Sequence, residues 1–250
     1  MPSAAVFIVA RTGSSRLPRK VLTPIHERPI LARLVERARR AVEPDAWVLC
    51  TTTASSDDEL AALGLALGLR VFRGSERDVP VRLRDAARAT EAEFFVLLES
   101  DEIFADPEFI DAVIRRRLET GADYIVTRGL PIGAWVCGIS RRAIEQLCAD
   151  RATEAVDGWG VFLERDARLR TESVHTDSAL AAASEGLRLT LDYPEDLEVI
   201  SAVFDRLRDR GDDFSVRDVV ALLTAEPELA APNRKLNEQY WQRIEKTRQS

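Results

Sequence analysis

Residues 10–20 read Ala-Arg-Thr-Gly-Ser-Ser-Arg-Leu-Pro-Arg-Lys, directly after the apolar run at residues 4–10. Gly13 permits a tight backbone turn, Ser14, Ser15 and neighbouring amides offer hydrogen bonds, and Arg11, Arg16 and Lys20 offset negative charge. Together these groups suit the oxygens of a polyphosphate. The Gly-Lys-Ser/Thr ending of a Walker loop is missing, so the segment is not of that type. The plain alternative is a solvated basic turn. Elsewhere, His26 and His175 stand in no ligand-spaced cluster, and Cys50, Cys137 and Cys148 are too scattered for a disulfide framework or a zinc knuckle. That cysteine usage fits a reducing cytoplasm.

The elements that must position this segment follow from periodicity. Residues 4–10 form a continuous apolar run, which reads as a strand buried on both faces in a parallel sheet. Ligands of open α/β sheets bind at the carboxyl ends of such strands, where residues 11–20 lie. Residues 30–42 place Leu31, Leu34, Val35 and Ala38 at helical spacing, with Arg33, Glu36, Arg37 and Arg40 on the opposite, polar face. Strands are predicted over 47–51, 69–72 and 94–98, with helices over 57–67 and 79–90 between them. Asp106 as N-cap and Pro107 in the first turn open another helix, reaching about residue 119. This alternation predicts a mostly parallel sheet wrapped by helices. From residue 124 to 139 the pattern loosens into antiparallel strands or a hairpin beside the main sheet, and a helix follows over 141–148. A late strand over 188–192 and a helix from Pro194 to about residue 210 complete one domain over 1–232, with a polar helix or tail over 233–250.

Composition narrows the function. A chain of 250 residues, 46% hydrophobic, can bury one substantial core. A net charge of −7 argues against sequence-independent binding to nucleic acid, which needs a basic face. No apolar stretch approaches the roughly 18 residues that span a bilayer, and the start lacks the pattern of a signal peptide. A cytoplasmic protein without a membrane anchor is expected.

Residues 10–22 resemble the opening motif of the cytidylyltransferases, in particular the spore coat polysaccharide biosynthesis protein F branch, related to 3-deoxy-manno-octulosonate cytidylyltransferase and CMP-N-acetylneuraminate synthetase. Further matches are Thr51-Thr52-Thr53 with Asp57-Asp58, Arg73-Gly74-Ser75 with Asp78 and Arg82, Asp101 with Asp106-Pro107, and residues 191–197, Leu-Asp-Tyr-Pro-Glu-Asp-Leu. The resemblance implies a Rossmann-like nucleotide-diphospho-sugar-transferase fold, α/β and mostly parallel, with a small antiparallel excursion in the middle of the chain. It implies attack by an acceptor oxygen on the α-phosphorus of CTP, with pyrophosphate released and a CMP-linked sugar, sugar acid or phosphonate formed. Arg11, Gly13, Ser14, Ser15, Arg16 and Lys20 fall on its triphosphate positions, with Arg11 and Lys20 in the catalytic role, and Thr51 and Arg82 fall near the nucleotide. Asp101 and Asp192 fall on the positions that hold Mg2+. Two carboxylates meeting over one phosphate chain are what such a cation requires. Relatives commonly pair as homodimers through the middle segment, to which residues 124–139 contribute apolar side chains.

Asp101 also reads as a strand-end cap, Asp192 as a turn residue, Arg82 as a solvated helix residue and Asp196 as a first-turn carboxylate favoured by the helix dipole. The chain departs from the branch in its middle. Leu97 and Glu99 stand where Arg and Thr are usual, Ile103 and Arg19 replace a proline and a glycine, residues 133–137 read Gly-Ala-Trp-Val-Cys, and an Arg-Glu-His-Val-Thr element lacks a counterpart at 155–161. An apolar set such as Ala134 to Cys137 suits a highly charged sugar acid poorly. Two other readings therefore stand beside catalysis. One is a nucleotide-binding homologue without turnover that acts as a partner or scaffold. The other is a nucleotide-sugar-dependent glycosyltransferase, although the Asp-x-Asp element of many such enzymes is absent at 99–102, Glu-Ser-Asp-Glu.

Overall fold

The computed structural model describes residues 4–150, 158–237 and 239–240. The apolar run forms β1 (Ala4–Val9), and the chain returns to β1's carboxyl edge after each later strand of the parallel part. After the polyphosphate-type loop come a two-stranded hairpin, β2 (Pro24–Ile25) and β3 (Arg28–Pro29), then α1 (Ile30–Ala38), β4 (Ala46–Thr52), α2 (Asp58–Ala66), β5 (Arg70–Gly74), α3 (Val79–Ala89), β6 (Phe94–Glu99) and α4 (Pro107–Thr120). The second half holds β7 (Tyr124–Arg128), β8 (Cys137–Ser140), α5 (Arg141–Asp150), α6 (Gly160–Arg165), β9 (Thr171–His175), α7 (Ser178–Ser184), α8 (Pro194–Arg206) and α9 (Val216–Ala225). The sheet runs β5-β4-β1-β6-β8-β7-β9, and every neighbouring pair is parallel except those that β8 makes with β6 and β7. The predicted α/β fold is therefore present.

Both faces of β1 and β6 are covered. Val6, Ile8, Val96 and Leu98 pack on one side; on the other, Ala5, Phe7, Phe95 and Leu97 pack, with the Phe7 and Phe95 rings stacked 4.4 Å apart. Fully burying a side chain of this size contributes about 1.5–3 kcal/mol, so the central strands are the most firmly held part of the sheet.

The structure corrects four readings. The antiparallel excursion does not sit beside the main sheet: β8 is wedged between β6 and β7. Gly138 allows this, because a Cβ there would stand 2.3 Å from the Phe94 ring and 2.5 Å from Val113. The apolar residues of 124–139 expected at an interface between copies, such as Ile125, Val126, Ala134, Val136 and Ile139, are buried in the protein's own core. Residues 188–192 form no strand. They make a single bridge, Ile132 to Arg188, because their neighbours on that side are loops rather than an open strand edge. Finally, α1 has no simple polar face. Arg33 and Arg37 are buried: Arg33 donates to the Ile25 carbonyl and pairs with Asp212 at 2.8 Å, and Arg37 lies over the Phe214 ring at 4.0 Å and donates to the Ile103 carbonyl. Apolar stems and flat guanidinium faces let arginine enter such aromatic surroundings, and burial, followed by the nearby Arg40, lowers the Arg37 pKa to about 10.

The β9 strand had no signal in the sequence reading, and residues 241–250 of the expected tail, like residues 151–157 at the missing family element, lie outside the described residues.

Candidate functional site

Parallel register brings three strand ends together. Val9 pairs with Cys50 on one side and Glu99 on the other, so residues 10–20, Thr51 and Asp101 all emerge at one edge of the sheet. The loop is anchored at its start by Asp57, which is buried and accepts from the Thr12 amide at 2.7 Å, from Thr12 Oγ1 at 2.6 Å and from Thr52 Oγ1. Burial opposes the charge on Asp57, but the hydrogen bonds from Thr12 and Thr52 outweigh it and hold the carboxyl below its ordinary range. The Thr12 carbonyl then accepts from the Ser14 and Arg19 amides at 2.9 and 3.0 Å, and Ser14 Oγ accepts from the Leu17 amide at 3.3 Å. The loop is thus folded back on itself.

Gly13 is the central residue of a tight turn, closed by the Ser14 amide on the Thr12 carbonyl. Its φ is not left-handed, and a Cβ at this position would meet nothing within 4 Å, so the space over the loop is open. The left-handed residue of the loop is Arg19, with φ 58° and ψ 21°, a conformation that glycine adopts without steric cost.

The loop delivers Arg16 and Lys20 to the two predicted metal carboxylates. Lys20 Nζ lies 2.8 Å from Asp101 Oδ2, 3.3 Å from Asp192 Oδ1 and 2.6 Å from the Leu191 carbonyl, while Arg16 Nη2 meets Asp192 Oδ1 at 2.6 Å. Asp101 and Asp192, 91 positions apart in sequence, converge on one ammonium. Burial works against the charged forms of both Lys20 and Asp192. For Lys20 the attraction of Asp101 and Asp192 prevails and raises the pKa; for Asp192 the attraction of Lys20 and Arg16 prevails and lowers it. Lys20 and Asp192 are thereby each held in the charged form.

Not every predicted site residue joins this cluster. Arg11 is exposed and reaches the other way, donating to the Glu76 carbonyl at 3.2 Å. Arg82 is buried rather than solvated and donates to the Ser75 carbonyl at 2.6 Å, while its Nε and the Thr51 Oγ1 are buried polar atoms without a protein partner. Arg11, Thr51 and Arg82 therefore lie toward the β4, β5 and α3 side of the edge, apart from the carboxylates. Unpartnered buried polar atoms at a site mark places where a ligand atom can complete the bonding.

On the other side of Asp101, Glu102 Oε2 accepts from the Glu99 amide at 3.0 Å. Burial, and then the charges of Glu99 and Asp101, hold the Glu102 carboxyl well above its usual range, and burial together with Glu102 and Glu99 does the same to the Cys137 thiol. Of the other unusual residues of the middle segment, only Trp135 lines a cleft, with Leu130, Pro131, Ile132 and Ala181, among the described residues. Leu97, Ala134 and Val136 are buried in the core, and the Trp135 indole N–H donates to the Leu130 carbonyl at 2.9 Å.

Sequence reasoning missed three contributors. Asp57 was noted only as a motif match, because its partner Thr12 is 45 positions away. Arg188 and Asn233 carried no local signal. Arg188 is buried and pairs with Asp196 through Nε at 2.8 Å and Nη2 at 3.0 Å, and Nη2 also reaches Asp192 Oδ2 at 3.2 Å. Asn233 donates to the Arg188 carbonyl and to Asp196 Oδ1, both at 2.9 Å.

Residues 5–153 match the family described as Cytidylyltransferase. Over 246 residues, covering 90% of this chain and 96% of the relative, the sequence is 32% identical to the spore coat polysaccharide biosynthesis protein SpsF of Bacillus subtilis. Among solved structures, a cytidylyltransferase from Leptospira borgpetersenii superposes with a TM-score of 0.83 at 22% identity, covering 92% of this chain and 97% of that one. A CMP:2-keto-3-deoxy-manno-octonic acid synthetase complexed with CTP superposes with a TM-score of 0.62 at 15% identity, covering 82% and 99%.

Proposed function

The chain belongs to the cytidylyltransferase family, and from that premise we propose that it transfers CMP from CTP to a sugar, sugar acid or phosphonate acceptor, releasing pyrophosphate. The observation that carries this reading is the meeting of Arg16 and Lys20 with Asp101 and Asp192 at the mouth of the residue 10–20 loop. A nucleoside triphosphate needs cations for its phosphates and carboxylates for its metal within one span, and this edge offers both. The solved relative that holds CTP shares the fold.

The donor set fits a hard divalent cation such as Mg2+. Asp101 and Asp192 provide oxygen ligands from different segments, and among the described residues no group of three or more His, Cys, Asp or Glu side chains is placed to enclose a metal. Two carboxylates leave the remaining positions to water and phosphate oxygens, as Mg2+ usually requires. When bound, the ion would offset charge that develops on the phosphate chain. The protein's own groups do the rest. Asp57 fixes the start of the loop, Lys20 and Arg16 offset phosphate charge, Gly13 leaves room for the chain of phosphates, and Thr51, Arg82 and Arg11 face the nucleoside side. This is catalysis by positioning and electrostatics.

Among the described residues no helix is long and apolar enough to cross a membrane. The test is pyrophosphate release from each nucleoside triphosphate with Mg2+ across a panel of acceptors. Turnover specific to CTP is expected, and Asp101→Asn and Asp192→Asn should each lower it about a thousandfold, equivalent to about 4 kcal/mol of transition-state stabilisation. Turnover by either variant at the wild-type rate would refute the metal assignment.

A further inference from the structure

Asp192 sits on a stretch of backbone that has almost no ladder of its own. Residues 187–192 make one bridge to Ile132, and the amides of Leu189 and Leu191 donate to Ile132 and Asp101 carbonyls at 2.7 and 3.0 Å. Gly133 lets this stretch cross closely over the β7–β8 connection: its φ is +88°, and a Cβ there would lie 2.1 Å from the Thr190 amide nitrogen. Nothing in that backbone sets the direction of the Asp192 carboxylate.

The side chains below it do. Arg188 is fully buried at the side chain and grips Asp196 with two nitrogens. Its Nη2 holds Asp192 Oδ2, so Oδ1 is the oxygen left facing Lys20 and Arg16. Asp196 in turn accepts from the Asp192 and Tyr193 amides at 2.9 and 3.0 Å, fixing the backbone at the start of α8. Asn233 bonds both the Arg188 carbonyl and Asp196 from a segment 37 positions further on, closing the arrangement.

Resting on the reading of Asp192 as a metal-facing carboxylate, we infer that Arg188, braced by Asp196 and Asn233, is a positioning residue that fixes which Asp192 oxygen the site presents. It acts through Asp192. Asp196 is a structural anchor and not a metal ligand. Asn233, at the start of the segment expected to be a tail, is part of the site's support. Partners of this kind, one bond removed from the metal, typically change metal affinity by about 10–100-fold when lost.

The test uses the full-length protein with CTP, titrated with Mn2+ and followed by the electron paramagnetic resonance signal of the free ion. The variants are Arg188→Lys, which keeps the charge but cannot bridge Asp192 and Asp196, and Asn233→Ala, which removes the brace without touching either ion pair. Asp192→Asn is the reference, and melting temperature and CTP binding without metal are recorded for each. The expected result is Mn2+ binding weakened about tenfold or more by Arg188→Lys and less by Asn233→Ala, with metal-free CTP binding unchanged within about twofold. If both variants lower the melting temperature yet bind Mn2+ as tightly as wild type while Asp192→Asn does not, the positioning role is overturned and the functional reading stands. If Asp192→Asn also binds Mn2+ at wild-type strength, the metal reading of Asp192 falls, and the inference with it.

Discussion

The loop over residues 10–20 and the stretch over residues 187–192 approach the same charged cluster from opposite sides, yet they are held by different physics. The loop leaves a central strand buried on both faces and is clamped by Asp57 through the Thr12 amide and hydroxyl, with the Thr52 hydroxyl holding Asp57 in turn. Every partner of that clamp is neutral. The 187–192 stretch leaves no strand, and on that side its carboxylate is held by the buried Arg188 guanidinium, which is itself braced by the Asp196 carboxylate and the Asn233 amide side chain. Hydrogen bonds from neutral donors to a carboxylate contribute about 1.5–3 kcal/mol each, and loss of one is a local event. A buried ion pair behaves differently. Its net contribution is small because desolvation offsets attraction, but removing one partner strands the other charge. The comparison teaches that the C-terminal support is the more fragile of the two, although it places the same chemistry.

That contrast can be broken most directly at Arg188. Replacing Arg188 with Met leaves Asp196 buried without its partner, and urea unfolding should show a loss of about 3–5 kcal/mol. A loss no larger than that of the Asp57 variant would erase the distinction between the two supports. Asp57→Ala removes three bonds from a buried carboxylate and should cost about 2 kcal/mol in the same measurement. It should also raise KM for the triphosphate, since the loop start is freed, with the acceptor KM little changed.

The pH dependence of unfolding sharpens the comparison on the acid side. Asp57 and Asp192 both titrate below the ordinary aspartate value of 3.8 in the folded protein. Each therefore contributes stability that is complete above about pH 4 and lost as pH falls through the lower folded value. Lys20 is raised above 10.5, so its contribution is complete below that pH and lost as pH rises beyond it. The Lys20→Met variant should flatten the alkaline limb of the stability profile, and Asp57→Asn should flatten only part of the acid limb. The smallest expected effect is at Arg19, whose left-handed φ of 58° a glycine adopts without strain. Arg19→Gly should raise stability by about 0.5–1 kcal/mol in thermal unfolding, because the exposed Arg19–Glu59 pair it loses contributes little.

The legibility of the molecule in its sequence follows the same division. Continuous apolar runs at residues 4–10 and 94–98 declare doubly covered strands, and capping residues such as Asp106 declare helix starts, because both are set by neighbours within a few positions. The dense set of cations and hydroxyls over residues 10–20 was legible for the same reason. β9 and the insertion of β8 were not, since pairing partners are chosen by the sheet and by the space that Gly138 leaves beside Phe94. Arg33 and Arg37 misled because helical spacing places them opposite the apolar stripe, whereas Phe204 and Phe214, from far along the chain, cover that side too.

By itself, then, the sequence determined the residue types available for a triphosphate, the alternation of the main strands and helices as far as α4, and the two carboxylates that could face a metal. Each of those is a property of short segments. Only the tertiary structure decided that Asp101 and Asp192 converge on Lys20, that Arg11 turns away toward Glu76, and that Arg188 and Asn233 support the site. Those facts depend on contacts between residues tens to more than a hundred positions apart, which exist only once burial and register have brought the segments together.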